Sequence, residues 1–244
     1  MEPAQHVEAI RTNAAALLDA AAAAGLDAPV PTCPEWDVAD LLGHVGRTYR
    51  WAASCSMRAP SDDVRFGSGG QIPTPERSER VAWVREGADA LVAALDRPAD
   101  TPAWTWAPPP TVGFWQRRQA HETAMHRVDA QIAATGTAEP IDAELAADGI
   151  DEWLHLLHNL PRRTPPTGSG ETLHFHCTDV PGEWLVRLTP DGIDVQREHA
   201  KGDVAARGTA SDLICWLQGR APVERLEVFG DASLLTRWRE LAKF

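Results

Sequence analysis

The 244-residue sequence predicts a helical bundle followed by a small α+β module. Three observations predict it. Apolar residues recur at three- and four-residue spacing as far as about Leu157, the helical period. The run 161–170 (PRRTPPTGSG) combines Pro with Gly and Ser, a linker composition. Beyond it, short apolar runs are punctuated by turn dipeptides, the strand pattern. The expected layout is a bundle over 1–160, a linker over 161–170 and an α+β domain over 171–244.

Val7, Ile10, Ala14, Leu17 and Leu18 form one stripe of a first helix, expected over Gln5 to Ala24 and stopped by Gly25. Pro31 and Pro34 hold Val30-Pro-Thr-Cys-Pro-Glu-Trp36 out of helix. Asp37 then supplies an N-cap, with Asp40 at the third position, for a second helix running to about Met57. The polar, Gly- and Pro-rich Ala59–Thr74 separates this from a third helix near Pro75–Leu95, striped by Val81, Val84, Ala88, Leu91 and Leu95. A fourth helix is expected over Val112–Ala134 and a fifth from Asp142 to about Leu157.

In the second module, Leu173–Cys177, Trp184–Leu188, Ile193–Arg197 and Val204–Ala206 read as strands, with Pro181-Gly182 and Asp191-Gly192 as turns. A helix at Ser211–Leu217, a strand at Leu226–Phe229 and a helix at Ala232–Leu241 complete it.

Bulk properties narrow the partners. With 35 acidic against 23 basic side chains the formal charge is −12, which opposes binding to nucleic acid or anionic membranes. No stretch approaches the ~18–20 apolar residues of a membrane span. The opening MEPAQHVEAI lacks the basic start and apolar run of a signal peptide. Cys33, Cys55, Cys177 and Cys215 are widely separated with no paired motif. A soluble chain in the reducing cytoplasm is expected.

The strongest chemical signal lies in the fourth helix. Glu122 and His126 are four apart and so share a helix face, where a carboxylate and an imidazole can reach one cation. His44, flanked by Leu41, Leu42 and Val45 on the second helix, is the best third ligand. On spacing alone such a pair is more often a hydrogen-bonded or salt-bridged surface pair. His121 and His126 are five apart, so the segment is not the His-Glu-x-x-His protease motif.

Several segments together resemble one family. They are Val30-Pro-Thr-Cys-Pro-Glu-Trp-Asp-Val-Ala-Asp-Leu-Leu-Gly-His44, His121-Glu-Thr-Ala-Met-His-Arg-Val-Asp129, Thr209-Ala-Ser-Asp-Leu-Ile-Cys-Trp-Leu-Gln-Gly-Arg220 and Val228-Phe-Gly-Asp231. In this order they resemble the mycothiol-dependent maleylpyruvate isomerase-like enzymes. The resemblance implies a DinB-like four-helix bundle with a sterol-carrier-like α+β domain behind it. It implies a metal on His44, Glu122 and His126, with zinc suiting two imidazoles and a carboxylate. It also implies mycothiol as thiol cosubstrate. The expected activity is that of an isomerase or S-transferase in which a metal-bound thiolate attacks a small electrophile. A metal-dependent hydrolase of a small ester, amide or thiol conjugate, and a non-catalytic metal-containing binding protein, are the alternatives.

Other residues stay off the site. Arg47, Arg50, Arg77, Arg80, Arg117 and Arg118 are candidates for an acidic substrate, but each also reads as a solvated face. Asp129 is either a partner that orients a ligand imidazole or a structural salt bridge, with Arg127 beside it in the motif. Trp36, Trp104 and Trp106 read as packing aromatics. Cys33 reads as a small packed residue. His174 and His176 alternate on one strand face, but without a third partner they are set aside.

Overall fold

The computed structural model describes residues 1–65, 68–159 and 166–242. The chain separates into two compact units, Met1–Glu139 and Pro140–Phe244.

The first unit is built on four long helices: α1 (Pro3–Ala24), α2 (Val38–Ser56), α3 (Arg80–Leu95) and α4 (Val112–Thr135). Helix α1 packs on α3 and α4, and α2 likewise packs on α3 and α4. Ile10, Leu17, Leu41, Leu42, Val84, Leu91 and Trp115 meet in the core, each fully buried. Burial of such side chains contributes about 1.5–3 kcal/mol each. Asp37 caps α2 as its position predicts, accepting from the Asp40 backbone N–H at 2.9 Å. The expected start of the third helix at Pro75 is instead a separate 3-10 turn over Arg77–Glu79 before α3. Arg77 ties that turn to Asp27 at 2.6 Å and to Asp37 at 2.9 Å. Gly46 has a local packing reason: a Cβ there would sit 2.2 Å from the Trp83 ring, so glycine lets α2 and α3 approach.

The second unit begins ahead of the boundary expected at residue 160. Helix α5 (Ala143–Asn159), assigned to the bundle from its amphipathic pattern, groups with the sheet module. Its buried apolar face packs against β3 and α6. Half of the expected linker, 161–165, falls outside the described residues.

Strands β1 (Thr172–Cys177), β2 (Glu183–Thr189), β3 (Gly192–Gln196), β4 (Val204–Gly208) and β5 (Glu227–Gly230) form one sheet in the order β3-β2-β1-β4-β5. Neighbours are antiparallel except β1 and β4, which are parallel. Helices α6 (Ala210–Leu217) and α7 (Ala232–Leu241) cover one face, with Phe175 of β1 against Trp216 at 6.0 Å and Trp238 at 5.8 Å between ring centres. Among the described residues no helix is long and apolar enough to cross a membrane.

Candidate metal centre

Helices α2 and α4 bring His44, Glu122 and His126 together. His44 Nε2 lies 3.0 Å and His126 Nε2 3.2 Å from the same oxygen, Glu122 Oε1. One ligand atom from each residue lies within 4.8 Å of the others. A cation ~2.0–2.2 Å from each donor fits the 3.0 and 3.2 Å separations of the imidazole nitrogens from Glu122 Oε1. The imidazole rings stand edge to face, 4.8 Å apart.

The polar surroundings fix these side chains. Asp129, one turn beyond His126 and wholly buried, accepts from His126 Nδ1 at 2.8 Å. That bond directs the other ring nitrogen, Nε2, at Glu122, which is how a carboxylate behind a ligand histidine sets its tautomer and raises its basicity. Thr32 donates to the other Asp129 oxygen at 2.5 Å. On the opposite side Arg118 donates to Glu122 Oε2 at 3.4 Å.

Burial pushes the Glu122 carboxyl up, but hydrogen bonds and charge from His126, the His44 bond and Arg118 outweigh it, holding the group well below the usual carboxylate range. Burial pulls His126 down, and its bonds to Asp129 and Glu122 overcome that, raising it to about 9. The site thus sets the carboxylates of half-buried Glu122 and wholly buried Asp129 against two imidazoles, a donor set that could hold a divalent cation.

The loop ahead of α2 closes the site. Pro29 and Asp37 form an isolated antiparallel bridge, and Val30 N–H donates to Trp36 C=O at 2.9 Å. This compact turn places Thr32 on Asp129 and the Trp36 ring 5.0 Å from His44 and 6.3 Å from His126. Trp36 and Thr32 are residues that the sequence reading left out. The Pro-bounded loop was visible, but its fold-back onto α4 was not.

Most of the arginines considered for substrate are otherwise engaged. Arg50 stacks on Trp83 at 4.2 Å and donates to the Trp83 carbonyl. Arg80 donates to the Ala39 carbonyl, Arg47 to Thr74 and Arg77 to Asp37. Arg118 bonds to a residue of the cluster, Glu122. Arg127 bonds to Asn13, Gln131 and the Glu139 carbonyl, a bracing role. Trp104 accepts at its carbonyl from Trp115 Nε1, and Trp106 packs on Phe114, so both are packing aromatics. Among the described residues no disulfide joins the four cysteines; burial pushes the Cys55 thiol up to about 11 and Cys177 up to about 12. His174 and His176, set aside for want of a partner, have two: Glu183 and His199.

Comparison with known proteins agrees with the two-unit layout. The family model described as "Mycothiol maleylpyruvate isomerase N-terminal domain" matches residues 7–131, and "MDMPI C-terminal domain" matches 144–237. Two solved structures align over 93% of each chain: a histidine-to-alanine mutant of the mycothiol-dependent maleylpyruvate isomerase (10% identity, TM-score 0.65) and the isomerase itself (13%, 0.60). At these identities the likeness is one of fold. No curated protein sequence matches the chain.

Proposed function

Because the chain belongs to the mycothiol maleylpyruvate isomerase family, we propose that it is a metal-dependent, mycothiol-using isomerase or S-transferase acting on a small electrophile. The observation that carries this reading is the convergence of His44 Nε2 and His126 Nε2 on Glu122, with Asp129 behind His126. Two imidazoles and one carboxylate are the donor set of an open zinc site, and zinc is the proposed ion. When bound, such an ion supplies a position at which a thiol loses its proton near neutral pH.

The chain's own residues then have distinct tasks. His44 and His126 bind through Nε2, and Glu122 contributes the negative charge. Asp129 keeps the His126 proton on Nδ1. Arg118 steadies the Glu122 oxygen that does not face the imidazoles. Trp36 gives the imidazoles an apolar wall that keeps water off one side. Cys55 and Cys177 stay protonated at neutral pH, which favours a low-molecular-weight thiol over either of them as nucleophile. Cysteines held as thiols rather than disulfides suit the reducing cytoplasm proposed as its location.

The test is calorimetric titration of the zinc-loaded chain with mycothiol, paired with isomerisation of maleylpyruvate. Mycothiol binding that needs zinc and is lost in His44→Ala is the expected result. Zinc-dependent ester or amide cleavage without thiol would replace this reading with the hydrolase. Mycothiol binding unaffected by His44→Ala would refute the site assignment.

A further inference from the structure

The second unit carries a cluster of its own. Alternation along β1 puts His174 and His176 on the face opposite Phe175. The antiparallel register sets Glu183, the first residue of β2, directly across from His176. His199 reaches the same place from the segment that follows β3.

Three imidazoles thereby surround one carboxylate oxygen. Glu183 Oε2 lies 3.1 Å from His174 Nε2, 3.4 Å from His176 Nδ1 and 2.6 Å from His199 Nδ1. Three ring nitrogens thus compete for an oxygen that has two lone pairs. The rings stand 5.6–6.2 Å apart, so protonating all three would crowd like charges. Ligand atoms of all four residues lie within 4.8 Å of one another, and His174 is buried.

We propose that His174, His176, Glu183 and His199 form a second divalent transition-metal site, of the zinc class. A cation among these groups takes up every contending nitrogen and the carboxylate charge at once. The donor count separates it from the bundle site. Three protein ligands leave zinc an open position, whereas four close its tetrahedron, the arrangement of a structural ion. Its role follows from His199, whose side chain is 80% exposed. The ion clips the segment after β3 onto the histidine face of β1 and β2.

The experiment is a zinc titration of the full-length chain, stripped with chelator, against a competing indicator. His126→Ala is used as background so that the bundle site does not contribute. The His126→Ala chain is expected to bind one zinc. Adding His176→Ala and His199→Ala should weaken that binding more than about 100-fold, beyond what loss of an outer-shell partner costs. Glu183→Gln keeps all three imidazoles and nearly the same volume, and guards against a variant that fails to fold. It should weaken zinc binding and remove the rise in melting temperature that zinc gives the His126→Ala chain. Zinc bound no more tightly by His126→Ala than by its His176→Ala/His199→Ala derivative, or with full affinity by its Glu183→Gln derivative, overturns the site. The bundle assignment can fail independently: a wild-type chain whose one zinc is lost with His176 and His199 would sustain this site and remove the other.

Discussion

Replacing Asp129 by Asn separates positioning from bracing at the bundle site. The carboxylate is wholly buried and accepts from His126 Nδ1 at 2.8 Å and from Thr32 at 2.5 Å. Asn keeps the volume, and its carbonyl can still accept from His126, so what is lost is charge. Hydrogen bonds to a charged group contribute about 1.5–3 kcal/mol against about 0.5–1.5 for neutral ones, so two such bonds put the stability loss near 2 kcal/mol. Loss of the charge behind a ligand histidine lowers metal affinity by about 10–100-fold, or roughly 1.4–2.7 kcal/mol. Urea denaturation of the chelator-stripped chain reads the first quantity, and chelator competition for zinc reads the second. A variant that is less stable yet binds zinc as tightly as the wild type would show that Asp129 only braces α4 against Thr32. The role given to it above would then be wrong.

Three further perturbations test other parts of the account. Glu122→Gln removes the negative ligand and leaves both imidazoles in place; zinc affinity should fall by at least about tenfold, and unchanged affinity would make Glu122 a bystander. Asp37→Ala removes the α2 cap and the Arg77 partner, at a cost of about 1 kcal/mol in urea denaturation. Burial raises the Asp37 carboxyl, but the Arg77 and Asp40 bonds outweigh it and leave it lowered, so its stabilisation is present above the ordinary carboxylate pKa and fades as pH falls through the folded value. The difference between wild type and Asp37→Asn should therefore shrink in acid; a difference constant down to strongly acidic pH would contradict this. Gly46→Ala puts a methyl 2.2 Å from Trp83, and overpacking of about 1–3 kcal/mol set against about 1 kcal/mol of helix propensity predicts a net loss of up to about 2 kcal/mol. A raised melting temperature would show that Trp83 yields freely.

How much of this could be read beforehand depended on whether local spacing decided it. Glu122 and His126 were legible because one helical turn places them on one face, and His44 because apolar neighbours turn its part of α2 inward. Asp37 was legible because an N-cap acts within its own first turn. Asp129 stayed ambiguous, since its role depends on which way the His126 ring faces, a tertiary matter. Trp36 and Thr32 escaped because their place is set by the fold-back of the loop onto α4. Helix α5 shows a clear apolar stripe, but a stripe does not say which surface covers it; here β3 and α6 do. In the same way His174 and His176 showed their common face, while Glu183 joined them only through the β1–β2 register and the strand start one residue ahead of the expected Trp184. His199 sits in a segment with no period at all.

The central claim is that His44, Glu122 and His126 hold one metal ion, and metal content tests it most directly. Wild type and His126→Ala, loaded with zinc, passed over a chelating column and analysed by elemental spectrometry, should differ by one zinc per chain. Circular dichroism should show the helices intact in both. Equal zinc in the two folded proteins would contradict the account at its base.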